Sequence, residues 1–237
     1  MKKLLVLSAA ILFAFTMNAQ KFGFKAGYGM SGYLVNFYTP DGAKMGNGFN
    51  AGLVGEYPVN DMMSLRADVT YNQLGSDYYD ETDVSGATMI SDFTTDVSYL
   101  QISVAPKFGF GPAYAFVGPY FGYALSNITN GTVVMGETTV VDVKDLDNFS
   151  DPTEGGSGDL YNKTDFGLNL GFGASFSGVF VELNAGMGLL NFINTSSQYY
   201  SATNYATTDD PTVAITGDAS QKNIFFGLSV GYLLGGK

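Results

Sequence analysis

The sequence predicts an all-β fold: an eight-stranded antiparallel up-and-down transmembrane β-barrel with short periplasmic turns and long extracellular loops. Three observations carry that prediction. The chain opens with an export signal, it then alternates apolar and polar residues over eight segments, and the connections between those segments alternate between short and long. Of its 237 residues, 46% are hydrophobic and only 14% charged, with 31 Gly, 19 Phe and 16 Tyr. That is too apolar for a disordered chain and too rich in glycine for long helices.

The first element is the signal. Lys2 and Lys3 precede an apolar run from Leu4 to Met17, and the small Ala19 follows. This is the pattern of a secretory signal peptide cleaved after Ala19, and the run is shorter than a membrane-spanning helix needs. Residues 1–19 are therefore expected to be the signal and residues 20–237 the barrel domain.

The strands follow in order. Phe22, Phe24, Ala26, Tyr28 and Met30 alternate with Lys21, Gly23, Lys25, Gly27 and Gly29, which makes a strand with one apolar face. The second run sets Phe49, Ala51, Leu53 and Tyr57 against Asn50, Gly52 and Glu56. In the third, Leu65, Ala67, Val69 and Tyr71 oppose Arg66, Asp68, Thr70 and Asn72; in the fourth, Leu100, Ile102, Val104 and Phe108 oppose Gln101, Ser103 and Lys107. The fifth, Tyr114 to Ser126, is apolar on both sides, and Val117, Phe121, Tyr123 and Leu125 are assigned outward. The sixth opposes Phe166, Leu168, Leu170, Phe172 and Phe176 to Asp165, Gly167, Asn169 and Gly171. The seventh opposes Val179, Val181, Leu183, Ala185 and Met187 to Glu182, Asn184, Gly186 and Gly188, and the eighth Ile224, Phe226, Leu228, Val230 and Tyr232 to Asn223, Gly227, Ser229 and Gly231.

Three connections are tight: Pro58 to Met62, Gly109 to Ala113, and Ser177 with Gly178. Four are long: Val35 to Asn47, Gly75 to Thr95, Asn127 to Lys163 and Phe192 to Ser220. An even strand number with short turns at one end and long loops at the other is the pattern of an outer-membrane barrel. In hydrocarbon every backbone amide must be paired within the protein, so the last strand is expected to pair with the first and the apolar face to look at lipid. A soluble lipocalin-like ligand-binding barrel, the alternative architecture, would bury that face.

Several segments resemble a known family. They are the signal ending at Asn18, Ala19 and Gln20, the opening KFGFKAG, the stretch YLQISVAPKFGF from Tyr99 to Phe110, GPYFGYALS from Gly118 to Ser126, and the closing KNIFFGLSVGYLL from Lys222 to Leu234. Their order is similar to that of the small outer-membrane β-barrel family common in Bacteroidetes, which includes OmpA-like, OmpX-like and PorT-like barrels. The resemblance implies an eight-stranded barrel in the cell outer membrane, and it includes members with secretion-accessory roles.

An interior of eight strands is just filled by side chains, so the inward charges Lys25, Glu56, Arg66, Asp68, Lys107 and Glu182 are expected to pair across the lumen. Arg66 and Lys107 are expected to meet Glu56, Asp68 and Glu182 in a plug. Inward glycines are expected to make room for large neighbours such as Phe180 and Phe225. Tyr71, Tyr78, Tyr123, Tyr161 and Phe192 suit an outer aromatic girdle, and Tyr57, Phe108, Phe110, Phe176 and Tyr232 an inner one.

Most of the 22 acids fall on the long connections: Asp77, Asp80, Glu81, Asp83, Asp92 and Asp96 on the second, Glu137, Asp142, Asp145, Asp147, Asp151, Glu154 and Asp159 on the third, and Asp209, Asp210 and Asp218 on the fourth. Asp145, Asp147 and Asp151 carry oxygens that suit calcium, although their spacing lacks the glycine and terminal glutamate of an EF-hand loop. Thr132–Met135 and Thr138–Val141, on either side of Gly136, are expected to form a projecting hairpin. Tyr199 and Tyr200, deeper in a loop, are candidates for ligand contact.

The chain has no Cys and no His. That excludes thiolate nucleophiles, histidine triads and imidazole metal ligands. No catalytic residue, metal site or cofactor is assigned, and a formal charge of −11 argues against nucleic acid as a partner. The expected role is a non-catalytic barrel presenting acidic loops for envelope integrity, adhesion or partner binding, with outer-membrane lipid, lipopolysaccharide and other envelope proteins as partners. The alternative is a narrow channel or an accessory subunit of a transport or secretion complex.

Overall fold

In the computed structural model, residues 21–36, 42–84, 86–200 and 218–235 are described. Residues 1–19, where the signal is expected, and the acids Asp209 and Asp210 lie outside them. Among the described residues nine strands form one antiparallel sheet: β1 (Lys21–Val35), β2 (Ala43–Pro58), β3 (Met63–Val84), β4 (Ala87–Phe110), β5 (Ala113–Met135), β6 (Thr138–Asp147), β7 (Thr164–Phe176), β8 (Val179–Gly188) and β9 (Gln221–Leu234). Eight of them close a barrel. Each pairs with its neighbour in sequence, β4 pairs with β5, and β9 returns to β1 from Phe22↔Leu234 to Val35↔Gln221. Closure leaves the barrel wall without a free edge, as a sheet in lipid requires.

β6 is the ninth strand and lies outside the ring. The lower half of β5 pairs with β7, from Ala113↔Ala174 to Tyr123↔Thr164, while its upper half pairs with β6, from Ile128↔Asp147 to Met135↔Thr138. The expected hairpin around Gly136 is this β5–β6 pair.

The second long connection is not a loop. β3 and β4 continue through it as one unbroken ladder, from Met63↔Phe108 to Val84↔Ala87, with Gly86 at φ 85° in the turn. Local alternation does not reveal this, because Asp80, Glu81, Thr82 and Asp83 are polar on both faces. The tight turns lie at the opposite end. Ser177 and Gly178, at φ 50° and 89°, join β7 to β8 in the positive-φ pair of a type I′ hairpin. Asn60 Oδ1 accepts the amides of Met62 and Met63 between β2 and β3.

The outer wall is apolar. Phe24, Tyr28, Leu53, Leu65, Ile102, Leu125, Leu168, Leu170, Phe172, Leu183, Leu228 and Val230 are all exposed, and so are Val117, Phe121 and Tyr123, as their outward assignment expects. Paired residues on the β3–β4 ladder share a face, which shows where the band ends. Its outward rungs are apolar through Ala67↔Val104, Val69↔Ile102 and Tyr71↔Leu100. Beyond Gly75↔Asp96 they become Asp77↔Thr94, Tyr79↔Asp92 and Asp83↔Thr88. The inward rungs, polar at Asp68↔Ser103 and Thr70↔Gln101, become mixed: Leu74↔Val97 and Tyr78↔Phe93 are apolar, Ser76↔Thr95 and Asp80↔Ser91 polar. With no bulge in the ladder, the outward face itself changes character, and its apolar band ends at Tyr71 and Leu100. The stretch from Met63 to Tyr71 is about nine residues, the length a tilted strand needs to cross.

Candidate functional site: the barrel interior

The lumen is layered. At the periplasmic mouth a vestibule of about 410 Å³ is lined by Lys21, Asn60, Asp61, Ser175 and Ser177, among others. Lys107 and Glu56 form part of its wall and pair with each other at 2.5 Å. Above them Arg66 forks onto two carboxylates. Its Nε and Nη2 donate to Asp68 at 2.9 Å each, and its Nη1 and Nη2 donate to Glu182 at 2.7 and 3.1 Å. Lys25 adds contacts to Asp68 at 3.1 Å and to Glu182 at 3.3 Å. Arg66 and Glu182 are each only 1% exposed.

The six expected lumen charges thus lie in two groups, Arg66 and Lys25 with Asp68 and Glu182, and Lys107 with Glu56. Tyr114 connects them, since the Lys107 ammonium stands 3.9 Å from its ring centroid while its hydroxyl donates to Glu182 at 3.0 Å. The Arg66 guanidinium lies 4.5 Å from the Phe116 ring centroid and 5.6 Å from that of Phe180. Planar, delocalised and weakly hydrated, a guanidinium suits this position between carboxylates and rings better than an ammonium.

The inward glycines are seats for those rings. A Cβ on Gly171 would lie 2.3 Å from Phe116, one on Gly231 2.2 Å from Phe180, and one on Gly186 2.1 Å from Phe225. Phe180 and Phe225 were expected from sequence. Tyr114 and Phe116 were not, because β5 is apolar on both faces and hides its inward aromatics.

Over the charged layer lies a chamber of about 40 Å³ lined by Lys25, Asn50, Thr70, Asn72, Asn169 and Asn184, among others. Then come Tyr120 and Asn223, both donating to Asp165 at 2.8 Å. An aromatic cap of Val97, Tyr99, Ala124 and Phe192, packed with Tyr33, Leu74, Phe149 and Tyr161, covers these. Phe192 stacks between Tyr33 at 5.9 Å and Tyr161 at 5.0 Å. Tyr161 and Phe192 therefore belong to this cap, and Tyr78 to the inner face of the projecting sheet, rather than to the outer girdle. Tyr71 and Tyr123 do face outward. Packing with Leu74 and Val97 holds Tyr161 and Phe192 inward, and the Tyr78↔Phe93 register puts Tyr78 on the inner face.

The loop candidates are spent on structure. Asp147 Oδ1 accepts the Phe149 amide. Asp151 Oδ1 accepts both the amide and the hydroxyl of Thr153, capping the 3-10 turn Pro152–Glu154. These bonds hold the exposed Asp151 carboxyl below the usual aspartate range. Asp145, at φ 50°, donates its backbone amide to Asn130 Oδ1. The three acids form no group that could hold a metal ion, so the calcium expectation has no geometric support. Tyr200 accepts the Ala219 amide and packs on Ile193, and Tyr199 lies over Gly158.

A closed eight-stranded antiparallel ring with an apolar outer band and an ion-paired interior defines the class: an integral outer-membrane β-barrel. The chain belongs to the outer membrane protein beta-barrel domain family, whose model matches residues 17–194. Its place is the outer membrane. Among solved structures it is similar to Ail of Yersinia pestis, at 16% identity over 91% of this chain and 99% of that one, with a TM-score of 0.39. It is also similar to Neisserial surface protein A, at 13% identity over 90% and 96% with a TM-score of 0.38, and to OprG of Pseudomonas aeruginosa, at 11% over 92% and 97% with 0.33. No curated protein matches the chain.

Proposed function

We propose that this protein is a non-catalytic anchor that holds an acidic β-sheet outside the cell for adhesion, envelope integrity or partner binding. The observation that supports this reading is the end of the apolar outward band on the β3–β4 ladder, after which the paired strands continue and Asp77, Tyr79, Glu81, Asp83 and Asp92 share the outward face. A sheet that only had to cross lipid would end with that band. Acidic residues along the projecting strands also guard against edge-to-edge self-association, leaving the face to partners of opposite charge or to lipopolysaccharide through bridging cations. The paired lumen supports a sealed wall rather than a pore, and the lack of His and Cys supports a non-catalytic role.

The test is deletion of residues 78–93, with a short turn joining the strands. Loss of cell-surface adhesion or envelope resistance with an intact barrel supports the reading; full retention of both removes it. A second reading, an accessory subunit of a transport or secretion complex, is favoured by the polar periplasmic vestibule and by the resemblance to small Bacteroidetes barrels, PorT-like ones included. Pull-down from native membranes distinguishes the two.

A further inference from the structure

Asp165 stands apart from the paired interior. It faces the lumen near the top of β7, is 4% exposed, and among the described residues lies in no ion pair. The Tyr120 hydroxyl and the Asn223 side-chain amide both donate to its Oδ2 at 2.8 Å, and the same Asn223 nitrogen reaches the Tyr99 hydroxyl at 3.1 Å. Asn223 is itself 3% exposed, and its carbonyl oxygen has no hydrogen-bond partner. A buried amide oxygen left in that state carries its full desolvation penalty.

Below this layer the charges cancel: Lys25, Arg66 and Lys107 oppose Glu56, Asp68 and Glu182. Asp165 therefore leaves one uncompensated negative charge in a region that the aromatic cap of Tyr99 and Phe192 closes from outside. A buried charge is tolerated when it is paired or holds a cation. Apart from the Asn223 nitrogen, the polar atoms here are oxygens, namely the Asp165 carboxylate, the Tyr99 and Tyr120 hydroxyls and the unpaired Asn223 carbonyl, and oxygen sets select hard cations. One net negative charge among otherwise neutral donors matches a single positive one. Gly188 is what lets the carboxylate lie against β8, since a Cβ there would stand 2.8 Å from Oδ1 and 3.1 Å from Oδ2.

We infer that Asp165, Asn223, Tyr99 and Tyr120 form a binding site for one alkali cation, sodium or potassium, in the upper lumen. The cation neutralises Asp165 and takes the free Asn223 oxygen as a ligand, joining β4, β5, β7 and β9 just beneath the cap.

The test uses the purified full-length barrel in detergent, with choline chloride replaced stepwise by sodium or potassium chloride at constant ionic strength and pH. The expected result is a thermal midpoint that rises by a few degrees and saturates as a single site fills. In Asp165→Asn, which keeps the side-chain shape, the rise is lost, and Gly188→Ala, which intrudes on the carboxylate without removing a ligand, weakens it. Identical midpoints for the wild-type protein in choline, sodium and potassium overturn the proposal without recourse to any variant. So does a rise of equal size in Asp165→Asn. A midpoint that follows pH in choline alone and ignores the alkali ions assigns the position to a proton instead, and stabilisation by calcium but not by sodium or potassium overturns the monovalent assignment.

Discussion

Arg66 is held by carboxylates from two walls of the barrel, Asp68 on its own strand and Glu182 on β8. Removing one partner of a buried ion pair leaves the others uncompensated, which costs about 3–5 kcal/mol. Arg66→Met is expected to lower the stability of the refolded barrel by that amount in urea titrations in lipid vesicles. Lys107→Met is expected to lose less, because the Lys107–Glu56 pair borders the open vestibule, where water replaces part of the lost interaction. At the surface, Thr153 lowers the pKa of Asp151 by donating to its carboxylate. A folded value below the unfolded one gives stabilisation that is present above the unfolded value and lost as pH falls through the folded one. The Thr153 amide is therefore expected to be ordered at neutral pH and to lose its protection below the ordinary aspartate range, measured by its NMR shift and exchange.

Strands in this barrel fit together by placing rings over glycines, so the fit belongs to pairs of elements rather than to single residues. Gly186 on β8 seats Phe225 of β9, and a methyl group there would stand 2.1 Å from the ring. Gly186→Ala is expected to destabilise by about 1–3 kcal/mol as an overpacked core does, and Phe225→Leu in the same chain to recover part of the loss. Chemical denaturation of the single and double variants measures both. The outward face obeys a different rule. Leu170, midway along β7 and exposed, meets hydrocarbon, so Leu170→Arg is expected to cost about 2–4 kcal/mol in lipid. A loss in lipid that vanishes when the same variant is compared in detergent would locate the penalty in the bilayer.

The whole molecule is a closed ring with three obstructions along its axis: the Lys107–Glu56 pair, the Arg66 cluster and the aromatic cap around Phe192. Eight strands leave no room to bypass them. Planar-bilayer recording is expected to show no large stable conductance steps, and unheated samples are expected to migrate faster on denaturing gels than heated ones, because the closed sheet resists detergent until it is boiled. Large steady openings would mean that the three layers do not block the axis together.

Period-two alternation is a property of a single strand, so the sequence by itself determined which side chains face lipid on every crossing strand but β5, how many strands cross and where the tight turns lie. Leu168, Leu170 and Phe172 face outward whatever their strand pairs with, and the choice of type I′ turn residues at Ser177 and Gly178 is equally local. Contacts across the lumen depend on closure and stagger, which no single strand encodes. Glu56 and Arg66 are register partners on β2 and β3, yet Glu56 pairs with Lys107 and Arg66 with Glu182, because long side chains reach past their neighbours across a narrow interior. Tertiary structure alone also drew Tyr161 and Phe192 into the cap and left Asp165 without a cationic partner among the described residues. It carried the acidic stretch after Gly75 onward as strands, because backbone pairing with β4 continues beyond the end of the apolar outward band.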